Sequence, residues 1–119
     1  MNYNFKAKNP DVNKRREISE KYNLNFPDRV PLICEKDPKS NLNDIEKKEF
    51  LAPKDLTLAM FSDNIRRRLN IRPDSSIYLL INGKHSVTGD VTMGEIYDRF
   101  KDPEDGLLYI TYASEITWG

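Results

Sequence analysis

Apolar residues along the chain switch between two spacings, and the switches mark the elements. The polar residues ahead of Pro10 predict a first short helix, and Asp11 caps a second over 12–24. In that second helix only Val12, Ile18, Tyr22 and Leu24 make a thin apolar stripe among charged neighbours. Such a helix lies on a domain without forming its core. The prolines of FPDRVP end it, and Val30 to Lys36 reads as a first strand. The turn-rich segment DPKSNLNDIEKK leads to a short strand over 49–52, stopped by Pro53. Shortness, flanking lysines and the proline are marks of a sheet edge. Thr57 caps a helix over 58–70 in which Leu58, Phe61, Ile65 and Leu69 recur on one face. Residues 77–82 form a third strand that runs into Asn82-Gly83, a two-residue hairpin signal. Thr92 opens a short helix to Phe100 with Met93, Ile96, Tyr97 and Phe100 on one face. After the DPEDG turn, residues 107–112 are an unbroken leucine, aromatic and β-branched run, the pattern of a central strand covered on both faces.

The order strand, strand, long helix, strand, short helix, strand is that of a β-grasp. It predicts an α+β fold: a four-stranded mixed sheet with a long crossing helix and a short helix, preceded by two N-terminal helices. Residues 1–25 are then a helical extension packed on the core, 26–113 the β-grasp core, and 114–119 a flexible tail ending in Gly119. The 119 residues make one domain. A hydrophobic share of 38% builds one core, and no apolar run approaches the roughly 20 residues a bilayer needs. The start MNYNFKAKNP has no apolar signal region, so the expected address is cytoplasmic. Nineteen basic residues balance nineteen acidic ones, which provides no electrostatic reason to expect nucleic acid as a partner.

Candidate chemistry is sparse. One cysteine and one histidine exclude a disulfide framework and a four-ligand zinc site, and no metal is expected. Cys34, inside VPLIC, reads as a reduced core residue or as a reactive thiol. His85 lies in the polar loop GKHSVTGD with no second ligand or carboxylate pair at catalytic spacing, so a solvated turn and a functional histidine both fit. Arg66, Arg67 and Arg68 complement the C-terminal dipole of their helix, or serve a partner. No catalytic constellation is present, and the chain is expected not to be an enzyme.

The blocks FPDRVPLICEK (26–36), EKKEFLAPKDLT (46–57) and TMGEIYDRFKDPEDGLLYITY (92–112), followed by the terminal Gly119, resemble the autophagy-related ubiquitin-like modifiers, the GABARAP-like family, over nearly the whole chain. The resemblance implies conjugation of Gly119 to phosphatidylethanolamine on autophagosomal membranes, the lipid being a covalent modification and not a cofactor. Implied partners are activating and conjugating enzymes, a processing and deconjugating cysteine protease, and cargo receptors and autophagy factors with short aromatic-x-x-aliphatic motifs. The protein would be cytoplasmic, membrane-bound when lipidated, and monomeric before conjugation. The resemblance puts an aromatic pocket at Ile18, Tyr22, Pro31, Ile33, Glu49, Leu51 and Leu107. It puts an aliphatic pocket at Phe50, Ala52, Pro53, Leu56, Phe61, Asn64 and Arg68, and a charged rim at Arg29, Lys47 and Lys48 that meets acidic residues of the motif. Read from their own types, the apolar members are equally ordinary core. Four positions depart from the family pattern: Ile18 stands where an acid is usual, Glu49 for lysine, Asn64 for leucine and Leu107 for phenylalanine. A modifier attached to proteins and an unconjugated interaction module also fit a β-grasp ending in glycine.

Overall fold

The structure, a computed structural model, describes residues 4–114. The expected tail beyond Ser114, Gly119 included, lies outside the described residues. Its elements are α1 (Asn4–Lys8), α2 (Val12–Asn25), β1 (Arg29–Lys36), β2 (Glu49–Pro53), α3 (Leu58–Leu69), β3 (Tyr78–Ile81), α4 (Met93–Phe100) and β4 (Leu108–Ala113). The strands form one sheet in the order β2-β1-β4-β3, with β1 and β4 parallel and the other pairs antiparallel. This is the expected mixed β-grasp sheet with its helical extension.

Local chemistry explains the boundaries. Thr57 and Thr92 accept the backbone N–H of Met60 and Glu95 at 3.2 and 3.3 Å, starting α3 and α4. Asp11 accepts from Asn13 at 2.9 Å and starts α2. Asn70, in the left-handed region with φ 53°, ends α3 directly after its three arginines.

Side chains of β1 and β4 alternate between two cores, which is why neither strand shows a polar face. Val30, Leu32, Cys34 and Ile110 face Phe61, Ile65, Met93 and Ile96 of α3 and α4. Ile33, Leu107 and Tyr109 face the N-terminal helices, where Phe5 and Ile18 cover them. Cys34 is fully buried, and burial, aided by the Glu35 charge, pushes its thiol far up, so it is a core residue and not a nucleophile. His85 is exposed on its turn, its ring 5.1 Å from that of Phe100.

The inner face of α2 differs from expectation. The apolar stripe is at most half-buried, Leu24 is 80% exposed, and the buried residues are Arg15 and Ser19. Arg15 Nε donates to Asp105 Oδ2 at 2.9 Å, and the Tyr109 hydroxyl donates to the same oxygen at 2.6 Å. Asp105 Oδ1 takes the Leu107 N–H at 2.9 Å, while the Ser19 hydroxyl donates to the Asp105 carbonyl. Next in line, Gly106 has φ +74°, and a Cβ there would stand 2.8 Å from Ser19 Oγ. Backbone conformation and the close approach of α2 therefore both demand glycine. At the other end, Lys6 Nζ donates to Asp102 Oδ2 at 2.6 Å and the Phe5 N–H to Glu35 Oε1 at 2.7 Å, tying α1 down. A polar clamp holds the extension in place beside the apolar contacts of Phe5 and Ile18.

Candidate functional site

The β2 strand closes the sheet on one side, and the bonding parity of its ladder decides what that edge offers. Register pairs Pro31 with Leu51 and Ile33 with Glu49. Cys34 N–H donates to the Lys48 carbonyl at 2.8 Å and Lys54 N–H to the Asp28 carbonyl at 3.0 Å. The bonded partners on β2 are thus its even-numbered residues, and the N–H and C=O groups of Glu49 and Leu51 point away from β1. Pro53 has no N–H and ends the run of donors. The Arg29 guanidinium reaches around to the Leu51 carbonyl at 3.4 Å.

Side chains divide between the two faces of this edge. Glu49 and Leu51 lie on the side of their partners Ile33 and Pro31, where Leu107 continues the parallel β1–β4 register. Ile33 and Leu107 are each 1% exposed and form a floor, with half-buried Ile18 packed against it. Tyr22, also half-buried, is further along α2, its ring 6.4 Å from Phe26. Phe50 and Ala52 take the opposite side, over α3. The Phe50 ring meets the Phe61 ring edge-on at 5.5 Å, and the Arg68 guanidinium lies 4.8 Å over Phe50. Leu56 packs against the same core, while alternation leaves Pro53 at the strand end on the Leu51 side. Asn64 Oδ1 accepts from Arg67 Nη2 at 2.6 Å on the exposed side of α3, so its carbonyl is partnered. Two groups of candidate residues therefore flank one open strand edge, on opposite faces.

The charged rim is less uniform than its sequence. Arg29 and Lys47 are exposed, but Lys48 is half-buried with Nζ 3.7 Å from Glu35 Oε1. Glu35 is buried, and among the described residues its Oε2 has no hydrogen-bond partner. Lys48 is thus the counter-ion of a buried carboxylate. Lys48→Ala is expected to lower the unfolding free energy by about 1–3 kcal/mol, the usual cost of stranding a buried polar group. Lys47→Ala should stay within about 0.5 kcal/mol, as exposed substitutions do. Urea titration of both variants checks this, and equal midpoints would show that Lys48 does not neutralise Glu35.

Arg15, Glu35 and Asp105 had no signal in the hydrophobic pattern, because a buried ion pair is invisible to apolar periodicity. The only cue was the DPEDG turn just ahead of a fully apolar strand.

The family described as "Autophagy protein Atg8 ubiquitin like" matches residues 14–119. Autophagy-related protein 8 of Dictyostelium discoideum is 41% identical over 116 residues, 97% of this chain and 93% of that protein. The proteins of the same name from Emericella nidulans and Candida glabrata are 40% and 37% identical over 119 residues, 100% of this chain and 98% of theirs. Among solved structures, Trypanosoma brucei ATG8 superposes with a TM-score of 0.90 at 31% identity, each chain being covered completely.

Proposed function

The chain belongs to the Atg8 family of ubiquitin-like autophagy proteins, and we propose that it acts as a modifier joined through Gly119 to phosphatidylethanolamine while its β2 edge recruits aromatic-x-x-aliphatic peptides. The observation that carries the recruiting half is the pair of residue groups on opposite faces of β2. Successive side chains of an extended peptide alternate in direction, so residues i and i+3 point to opposite faces. A peptide that adds to the outward groups of Glu49 and Leu51 would set its aromatic residue over Ile33 and Leu107. Its aliphatic residue, three positions on, would fall beside Phe50 and Leu56. Main-chain bonds supply affinity in this mode and the flanking pockets supply selection. The Ile33 and Leu107 floors are sealed, so contact is made by the half-buried rim, Leu51, Ile18 and Tyr22 on one side and Phe50, Leu56 and Asn64 on the other.

Titration of a fluorescent peptide with a Trp-x-x-Leu core tests this reading. Phe50→Ala and Leu51→Ala are each expected to weaken binding about tenfold or more, the loss typical of a central apolar contact. Unchanged affinity in variants with native circular dichroism would remove the peptide site.

For conjugation, the chain is the substrate and not the catalyst. Its terminal carboxylate would be adenylated, passed to enzyme cysteines as a thioester and transferred to the lipid amine, and a cysteine protease would process or reverse the bond. Among the described residues no helix is long and apolar enough to cross a membrane. Two acyl chains would be sufficient to hold the domain on a bilayer, since about 30 buried methylenes at roughly 0.8 kcal/mol each contribute on the order of 20 kcal/mol. The protein would then divide between cytoplasm and autophagosomal membrane.

A further inference from the structure

We propose that the peptide recruited at β2 carries a basic residue two positions before its aromatic residue, and that Glu49 selects it; this rests on the peptide-binding reading above. Glu49 is half-buried on the open edge, with its backbone groups pointing outward and its side chain on the Leu51 face. No ion pair among the described residues includes its carboxylate. The nearest cation in sequence, Lys48, is held by Glu35, whose second oxygen is itself buried with no partner among the described residues. Lys48 therefore has no charge to lend.

The surroundings sharpen the point. A cleft of about 450 Å³ separates α1 from the edge, lined by Asn4, Phe5, Lys8, Asn9 and residues 46–49. Its remaining charges, Lys8, Glu46 and Lys47, are exposed, so water and salt screen them. Glu49 is the charge that an added strand would strip of water. A carboxylate desolvated without a cation is costly, and a cationic side chain brought by the peptide offsets that cost. An acidic side chain in the same place adds repulsion.

The direction of the peptide follows from where the two groups lie. Floor residues Ile33 and Leu107 sit beside residues 49–51, whereas the opposite group extends from Phe50 to Leu56, toward the end of β2. A motif with its aromatic residue first thus runs parallel to β2, with its amino end at the cleft. Side chains two apart share a face, so the residue two before the aromatic is the one that meets Glu49. Arg29, opposite Pro53, stands at the other end and is the cation left for an acidic residue late in the motif.

The test uses synthetic dodecapeptides with one Trp-x-x-Leu core and lysine, alanine or glutamate two positions before the tryptophan. At low salt the full chain should bind the lysine peptide about fivefold to tenfold more tightly than the glutamate peptide, a preference that shrinks as salt is raised. Glu49→Lys should invert the order, and Glu49→Gln should bring the peptides to within about twofold of one another. Equal binding of the lysine and glutamate peptides to the unaltered chain overturns the inference, as does a preference that survives Glu49→Lys. The alanine peptide separates the two levels of failure. If it binds and the flank has no effect, only the role of Glu49 falls; if it does not bind, the peptide site falls with it.

Discussion

Deletion of Gly119 is expected to abolish transfer of the chain to phosphatidylethanolamine while leaving fold and peptide binding unchanged. The chemistry needs a terminal carboxylate that a narrow active site can reach in extended form, and glycine, lacking a Cβ, lets a nucleophile approach its carbonyl from either side. Among the described residues β4 ends at Ala113, which is paired with Tyr78, six positions before Gly119. The measurement is a reconstituted reaction with activating and conjugating enzymes, ATP and phosphatidylethanolamine liposomes, read by flotation. Lipidation of the Gly119-deleted chain, or none of the intact chain with its cognate enzymes, would falsify the assignment. In the second case, retained peptide binding would leave an unconjugated interaction module.

Asp105→Ala is expected to lower the unfolding free energy by about 3–5 kcal/mol, a large part of the stability of a domain this size. Asp105 is fully buried, and its carboxylate serves Arg15, Tyr109 and the Leu107 N–H at once. Without it the Arg15 guanidinium, whose side chain is 7% exposed, loses its counter-ion and, among the described residues, keeps only the Asn9 carbonyl, at 2.7 Å. Burial, the largest cause that pushes the Tyr109 phenol up and one that outlasts the substitution, keeps Tyr109 a neutral donor that cannot replace the lost anion. Removing both charges, as in Arg15→Met with Asp105→Ala, should recover part of the loss, because a buried pair matters more when broken than when absent. Urea unfolding checks both variants, with hydrogen exchange of α2 reporting whether the extension is the part released. A loss below about 1 kcal/mol for Asp105→Ala would mean that the buried pair contributes no more than an exposed one.

Much of the fold was legible because its signals are local. Threonine hydroxyls that accept an N–H three residues on, a proline that ends a strand, Asn-Gly after an apolar run and a 3.6-residue apolar period act within a few residues of themselves. They placed every strand, and every helix after α1, within about two residues, the usual slack of such boundaries. The run 107–112 announced a strand buried on both sides for an equally local reason, since no position in it tolerates water. The quoted blocks carried the family in the same way, as order along the chain.

What the pattern misjudged or left open involves residues far apart. Periodicity of apolar residues put the inner face of α2 on Val12, Ile18, Tyr22 and Leu24; Ile18 does pack inward, but the residues the helix buries are Ser19 and Arg15, which meets an aspartate 90 positions away. Lys47 and Lys48 are identical as sequence. One is a solvated rim charge and the other a counter-ion, because the chain just ahead of β2 leaves the ladder and brings the Lys48 ammonium to Glu35, although continued strand register would have put Lys47 opposite it. Likewise, residue types cannot say which backbone groups of β2 are spent on β1 and which are free. That depends on ladder parity, and so Glu49 became a carboxylate on an open edge, with no ion-pair partner among the described residues, only once the chain had folded. The physical reason is common to all three. Hydrophobic burial is a property of single residues and is written into their order, whereas charge compensation and hydrogen-bond direction are properties of pairs and exist only where tertiary structure brings the partners together.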